Sequence, residues 1–506
     1  MKRATTSTFI LELPLVVDLA NERQLLARFE SGRRLFNAVL GEALRRHQLM
    51  RESKVWQKAR LLKDKKERSA TFRKICEEYQ FTSASLSSFG TKCKNGAHWD
   101  EYLGAHDTQK VAERAFGAVQ MYGFGKLGRP RFKGNRRPLH SMESKTNATG
   151  IRWQSGISSV VWGDLSLPVM LAPRDDYQTA GLQHHTKFCR IVWRIEKGQR
   201  RWYAQLMQEG LPPQKHRTTE GEVGLDIGPS TVAVVAKDTN GLTAFCPTIK
   251  QPWRLMKRLQ RKLDRSRRAT NPDCYNADGT WKKGNRQTIF SSQYKKVRVQ
   301  YQEVEHRLAA ERKRSHGELC NTILGSGTTI KSEKLSYRAF QKVFGRSCKV
   351  KAPGMFVSML RRKAVSAGGK LVDLQTWKLK LSQYDHQSGD YTKKPLSQRW
   401  HQLGDGSIIV QRDVYSAFLA FCVQENQHHP SYIEAMWADQ EPALRQAGWC
   451  RTQPASGGAT AFPTAQAPSE LVACRRSLAS GQGPDVVAYT REPGNPVGFD
   501  FGTPCL

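Results

Sequence analysis

The chain has 506 residues, and its 81 Lys and Arg against 45 Asp and Glu leave a formal charge of +36, with 39% hydrophobic and 9% aromatic residues. That apolar content can bury a core in about three domains, which excludes a single small module and wholesale disorder. The charge surplus predicts a polyanionic partner, nucleic acid ahead of an anionic membrane surface, and disfavours a small neutral metabolite.

The first apolar run, residues 8–17, is interrupted by Glu12 and followed by Asp18, so it reads as a strand and not as a signal core. No run of about 20 apolar residues predicts a membrane span. Asp18 is placed to cap a helix with Glu22 in its first turn, and Leu25, Leu26, Phe29, Phe36, Val39, Leu40, Ala43 and Leu44 recur at helical spacing. Residues 51–75 carry ten Lys or Arg, a pattern that fits a solvated helix face and a phosphate-binding face equally. From Gly123 glycine and proline interrupt the helical pattern, and short β-like runs follow at 156–162, 187–193 and 201–207. They predict a small antiparallel barrel or sandwich that the opening strand completes, with the helical stretch inserted into it. The eleven cysteines are scattered and none forms Cys-x-x-Cys, so neither a disulfide framework nor a four-cysteine zinc site is predicted, and a reducing cytoplasm is the simplest compartment.

Residues 213–221 read as a linker. Residues 222–236 then form two apolar strands about a Gly-Pro-Ser turn, with Asp226 between Leu225 and Ile227 in the first. A helical hairpin follows. Its first arm carries eight Lys or Arg over 253–268, and its second puts Tyr294, Val297, Tyr301, Val304 and Leu308 on a narrow seam suited to packing against another helix. Residues 328–333 read as a strand ending in Glu333, and Pro353 opens a helix that Gly368 and Gly369 close before a strand at 370–375. A further strand at 407–413 leads into an apolar helix. Beyond residue 426 the composition turns to Gly, Pro, Ala, Ser and Thr, which predicts a low-order tail. With five arginines against seven acids, the tail leaves the whole positive surplus to the first 425 residues.

A carboxylate inside an apolar strand is costly unless it is paired or binds a cation. Asp226 therefore asks for partners, and Glu333 and Asp413 are suitable ones. Three carboxylates on separate elements can hold two Mg2+ ions about 3.5 to 4 Å apart for phosphodiester hydrolysis. Taken singly, each acid fits a turn, a cap or an ion pair as well, and spacing alone does not choose these three among 45.

The segments Val-Gly-Leu-Asp-Ile-Gly-Pro-Ser-Thr-Val-Ala-Val-Val (223–235), Glu-Lys-Leu (333–335) and Gln-Arg-Asp-Val-Tyr-Ser-Ala-Phe-Leu-Ala (411–420) resemble the three RuvC motifs of the TnpB family of transposon-encoded RNA-guided nucleases and of related compact CRISPR type V effectors. Gly-Arg-Pro-Arg-Phe-Lys-Gly (128–134) is similar to the family's Pro-x-Phe-Lys signature, and the resemblance covers residues 1–425. It implies an α/β multidomain protein. The expected parts are the first strand of a wedge β-barrel at 1–18, a helical recognition lobe at 19–122 and the rest of the barrel at 123–212. An RNase H-like RuvC nuclease domain then spans 222–425 with the basic hairpin at 250–316, and a disordered tail occupies 426–506.

The same resemblance implies that Asp226, Glu333 and Asp413 bind Mg2+ and catalyse RNA-guided DNA cleavage, with guide RNA and target DNA as partners and the cytoplasm, at the nucleoid when DNA is bound, as the location. Guide-dependent DNA binding with weak or no cleavage is the alternative. Lys54, Lys58, Lys65, Lys66, Arg129, Arg131, Lys133, Arg254, Lys257, Arg258, Arg261, Lys262 and Arg265 would contact the nucleic acid, within basic stretches at 51–75, 126–137 and 254–268. Two features depart from the family. Residues 376–410 hold no cysteine where the family has a zinc ribbon, only Asp385, His386, Asp390, His401 and Asp405 among potential ligands, so no zinc site is expected. Tyr415 and Ser416 stand where many members have Asn-Ala. Because the strand before Glu333 is unusually polar, Glu303, Glu305 and Glu311 are the substitutes considered for that position.

Overall fold

The computed structural model describes residues 6–134, 138–213, 218–250, 252–282, 284, 288–395, 398–452 and 472–473. Strand β1 (Thr8–Pro14) turns Phe9, Leu11 and Leu13 inward. Asp18 caps α1 (Leu19–Glu52), its carboxylate accepting the Asn21 N–H at 2.7 Å. Helix α1 buries Leu25, Phe29, Phe36, Val39, Leu40 and Ala43, the stripe that the sequence marks. Helices α2 (Lys54–Leu61) and α3 (Lys65–Glu78) are joined by Trp56 on Phe72, and α4 (Ser83–Gly96) and α5 (Ala105–Gly123) pack on α1.

Strand β2 (Ser141–Glu143) precedes an antiparallel sheet of β3 (Ile151–Gln154), β4 (Ser159–Trp162) and β5 (Leu165–Pro168). After α6 (Asp176–Leu182), β6 (Thr186–Glu196) and β7 (Gln199–Glu209) form a long hairpin. β1 pairs antiparallel with β7 from Thr8 opposite Glu209 to Pro14 opposite Tyr203, so the sheet runs β1-β7-β6-β2. Phe29 of α1 meets both Trp162 and Trp202, and one apolar core runs through these strands and helices together.

The second half is built on a six-stranded sheet. Strands β8 (Glu222–Ile227), β9 (Thr231–Ala236) and β10 (Thr239–Ala244) form an antiparallel meander. Helix α7 (Trp253–Thr270) lies on α8 (Ser292–Ser326) through Met256, Val304 and Leu308, part of the seam that the sequence marks. α8 runs past the expected end at 316, because Cys320, Ile323 and Leu324 bury against the sheet. Strand β11 (Thr329–Glu333) follows, then α9 (Tyr337–Val343), α10 (Gly345–Lys351), α11 (Pro353–Ser366) and strand β12 (Lys370–Leu374). β11 pairs in parallel with both β8 and β12. A short turn of helix, α12 (Thr376–Leu379), leads through β13 (Trp400–Leu403) and β14 (Ile408–Gln411) to α13 (Arg412–Cys422).

The low-order tail needs correction over its first part. Helix α14 (Pro430–Gln446) buries Ile433, Trp437 and Leu444 at helical spacing, and β15 (Cys450–Thr452) pairs with β14. Those few apolar positions are diluted when composition is averaged over the whole segment. A two-residue strand β16 (Val472–Ala473) pairs with β10, which completes the order β12-β11-β8-β9-β10-β16. The rest of the expected tail, residues 214–217 of the linker and Arg136 and Arg137 of the 126–137 stretch lie outside the described residues.

Helix α13 lies on one face of the sheet, and α8 and α11 pack with the other. Gly224 permits this: a Cβ there would fall inside the Ala417 carbonyl and the Phe421 amide, backbone atoms that cannot swing away. We predict that Gly224→Ala destabilises the protein by more than about 3 kcal/mol, measured by chemical denaturation; a change under about 1 kcal/mol would show that the helix can shift at little cost.

Candidate functional site

Parallel pairing of β11 with β8 sets Ser332 opposite Leu225, so the next residue of each strand, Glu333 and Asp226, lie side by side. Alternation puts both on the face that bears Gly224 and Lys331, the face covered by α13. Asp413 sits in the first turn of α13, where the helix dipole favours an acid, and Gln411 caps that turn by accepting the Val414 N–H at 2.7 Å. Three elements distant in sequence thus bring the three marked acids to one end of the sheet.

The acids oppose one another electrostatically. The carboxyl of Asp226 is pushed well above the usual carboxylate range, first by burial and then by the negative charges of Asp413 and Glu333, while Arg412 and Arg399 pull it the other way. Burial pushes Glu333 up to about 7, opposed by the Leu381 N–H that its carboxylate accepts. Asp413 is ion-paired with Arg412 at 3.3 Å and Arg399 at 3.6 Å. Tyr337 is pushed up to about 12, chiefly by burial, with smaller contributions from Asp373 and Asp226.

Among the described residues no three His, Cys, Asp or Glu side chains cluster closely enough to hold an ion. In donor chemistry, however, the three acids fit Mg2+: they are all oxygen donors, and their crowded negative charge is what a hard dication relieves. Neither arginine was marked as a site residue. Arg412 stands inside the third motif, whereas Arg399 precedes β13 with no sequence signal. The substitutes for Glu333 are engaged elsewhere: Glu303 accepts the Lys197 N–H, Glu305 accepts from the Tyr301 hydroxyl, and Glu311 binds Arg314 and Thr248.

The polar residues of 376–410 form a network of their own. Asp385 accepts the N–H groups of Gln387 and Gly404 and lies 3.9 Å from His401. The Tyr415 hydroxyl accepts the His386 N–H at 3.0 Å and is 2.8 Å from His386 Nδ1, which gives the tyrosine of the third motif a structural role. Asp390 accepts the Asp385 N–H through its carbonyl, and Asp405 closes a turn on Ser407.

Of the marked cations, Lys54 and Lys58 on α2, Lys65 and Lys66 on α3, Arg129 and Arg131 in the loop after α5, and Arg254, Lys257, Arg258, Arg261, Lys262 and Arg265 on α7 are exposed. Lys133 is half-buried. Its backbone bonds Asn37 and Arg33, and its ammonium lies 5.7 Å from the Phe36 ring. At the end of α7, Arg267 and Arg268 pair with Asp264 and lie over Tyr275, so two members of that basic cluster serve the fold.

No family model and no curated protein matches the chain. Among solved structures it is similar, at 9% identity and a TM-score of 0.39, to a cryo-EM structure of a Cas12f1–sgRNA–target DNA complex, covering 81% of this chain and 98% of that one. It is also similar to a cryo-EM structure of a CRISPR–Cas12f ternary complex, at 10% identity and a TM-score of 0.27, covering 83% of this chain and 100% of that one. No helix among the described residues is long and apolar enough to cross a membrane.

Glu333 keeps its proton in the folded chain at pH values where the unfolded chain has released it, so its contribution to stability falls as pH rises from about 4.5 to about 7. Without divalent cations, Glu333→Gln is expected to match the parent near pH 4 and to exceed it at pH 8 by on the order of 1 to 3 kcal/mol. Denaturant titrations at the two pH values check this, and identical slopes for parent and variant would contradict it.

Proposed function

We propose that the chain is an RNA-guided DNA endonuclease of RuvC type, with Asp226, Glu333 and Asp413 as its metal-binding acids, guide RNA and target DNA as its partners, and an RNase H-like domain beside a β-barrel wedge. The observation that carries the reading is the convergence of three carboxylates from β8, β11 and α13, two of them held protonated more firmly than usual, within a chain of charge +36. Structural acids are normally arranged to avoid such mutual repulsion, whereas sites that bind cations require it.

The residues divide the work. Asp226, at the centre, faces both other acids. Glu333 is held by the Leu381 N–H, and Asp413 is oriented by its place in a capped helix turn. Arg399 and Arg412 pair with Asp413 and offset part of the charge of the acidic cluster. Mg2+ bound by these acids would assist attack of water at phosphorus and offset the charge on the departing oxygen. The exposed cations of α2, α3 and α7 would neutralise phosphates of the guide RNA and of its duplex with DNA, while base pairing reads the sequence.

The pairing of Asp413 with two arginines favours a second reading, guide-dependent DNA binding with little cleavage. Purified protein with its copurifying RNA, supplied with matched DNA and Mg2+, separates the two. The nuclease reading expects cut products that Asp226→Ala and Asp413→Ala each abolish and that RNase pretreatment prevents. Full cutting by Asp226→Ala would refute the site, and tight RNA-dependent retention of uncut DNA would establish the second reading. Replacing Lys257, Arg258 and Arg261 with Ala is expected to flatten the dependence of log affinity on log salt by about 0.9 for each phosphate that is no longer neutralised, read by filter binding across a salt series; an unchanged slope would remove α7 from the interface.

A further inference from the structure

The segment from Leu374 to Leu381 arches over Glu333. Leu374 is the residue paired with Glu333 in the parallel ladder, and Leu381 returns to donate its N–H to the Glu333 carboxylate. Between them the chain is fastened at each step: the Gln375 N–H to Asn426 Oδ1 at 3.1 Å, the Thr376 hydroxyl to the Lys334 carbonyl at 3.4 Å, and His428 Nε2 2.8 Å from the Leu379 carbonyl. Leu379 and Leu381 are buried, and His428 stacks on Tyr384 beneath the arch. The largest side chain of the segment is left out of this construction. Trp377, on the single helical turn α12, is 76% exposed, and among the described residues no ring or cation packs on its face.

A large apolar ring on a rigid, fastened turn does nothing for the core, and water is a poor neighbour for it. Two exposed lysines stand close to it in the chain and the ladder: Lys378 follows it, and Lys334 is the residue whose carbonyl the Thr376 hydroxyl meets. An aromatic face beside cations, on the arch that covers a catalytic carboxylate, matches what an unpaired nucleic-acid strand requires: a surface for a base and positive charge for its phosphates. We propose that Trp377 is a stacking platform for a base of the single strand entering the carboxylate cleft, with Lys334 and Lys378 beside the adjoining phosphates. Because the turn is already ordered, little conformational entropy is lost when a base docks on it. The proposal rests on the nuclease reading for its choice of strand, but it is tested through binding, so each can fail alone.

The probe is a single-stranded oligodeoxynucleotide of about a dozen residues carrying 2-aminopurine at successive positions, added to the full chain with its copurifying RNA. Divalent cations are omitted, and salt is raised to weaken the sequence-independent phosphate contacts. The parent is expected to quench 2-aminopurine at one position. Trp377→Ala is expected to lose that quenching and to bind the strand roughly 5- to 100-fold more weakly, while Trp377→Tyr restores most of both. A merely structural role would not give position-specific quenching that a second aromatic residue rescues. Absence of quenching in the parent, or Trp377→Ala within about twofold of the parent in both readouts, overturns the platform whether or not the protein cuts DNA.

Discussion

Everything at the site depends on how closely α13 lies on β8. A helix ordinarily rests on a sheet through two layers of side chains, but at Gly224 the strand offers none, and the Ala417 carbonyl and Phe421 amide occupy the space a Cβ would need. That contact lies two residues before Asp226 on the same face of the strand, so the distance between Asp226 and the first turn of the helix is set by backbone against backbone. The far end of the helix is held by Lys331, whose ammonium donates to the Phe421 carbonyl at 3.0 Å and the Val423 carbonyl at 2.8 Å and pairs with Glu222 at 2.7 Å. A buried cation is costly by itself, but here it meets the carbonyls that a helix end leaves unpaired and the negative end of the helix dipole. With Gln411 at one end and Lys331 at the other, Asp413 has little freedom to turn away from the sheet.

The packing on the opposite face offsets what the acids cost. Burial of Asp226 beside the negative charges of Asp413 and Glu333 is a local loss of stability, and such losses persist only where the surroundings over-determine the structure. Val223, Leu225 and Ile227 of β8 and Ile330 of β11 supply that constraint by burying against Cys320, Ile323, Phe356 and Leu360 of α8 and α11. β8 therefore carries Asp226 on one face and a continuous apolar surface on the other, and β11 adds Ile330 to that surface. The two arginines paired with Asp413 also act on Asp226 and offset part of the repulsion.

Patterns that depend on apolar period were legible in the sequence. The opening strand, the Asp18 cap, the stripe of α1, the seam of α8 and the apolar strand holding Asp226 are each stated by local spacing, and the structure forms them where expected. What was not legible depends on partners far along the chain. Lys331 made β11 look too polar for a core strand, because its acceptors, Phe421 and Val423, lie about ninety positions away. Arg399 carried no local signal and gains its place only from the fold of β13 against α13. Arg267 and Arg268 looked like the rest of a basic face until Asp264 and Tyr275 were seen to hold them. The convergence of the acids belongs to the same class. Their identity came from resemblance to known motifs, and their proximity came from the parallel register of β8 and β11, which no local pattern encodes.

The segment after residue 426 shows why composition and packing can disagree. Averaged over its length it is polar and slightly acidic, yet Trp437 lies 5.2 Å from the Phe418 ring, 5.9 Å from Tyr415 and 5.1 Å from His386. Those three residues belong to the helix that carries Asp413 and to the polar network that follows the arch over Glu333. Burial keeps the His386 imidazole on its neutral side, so it packs as an aromatic ring while its Nδ1 meets the Tyr415 hydroxyl. Tyr415 thus links α13 to the network and, through Trp437, to α14. On this geometry the cooperative unit around the acids extends through residue 452, because the helix bearing Asp413 is covered by the sheet on one side and by α14 on the other.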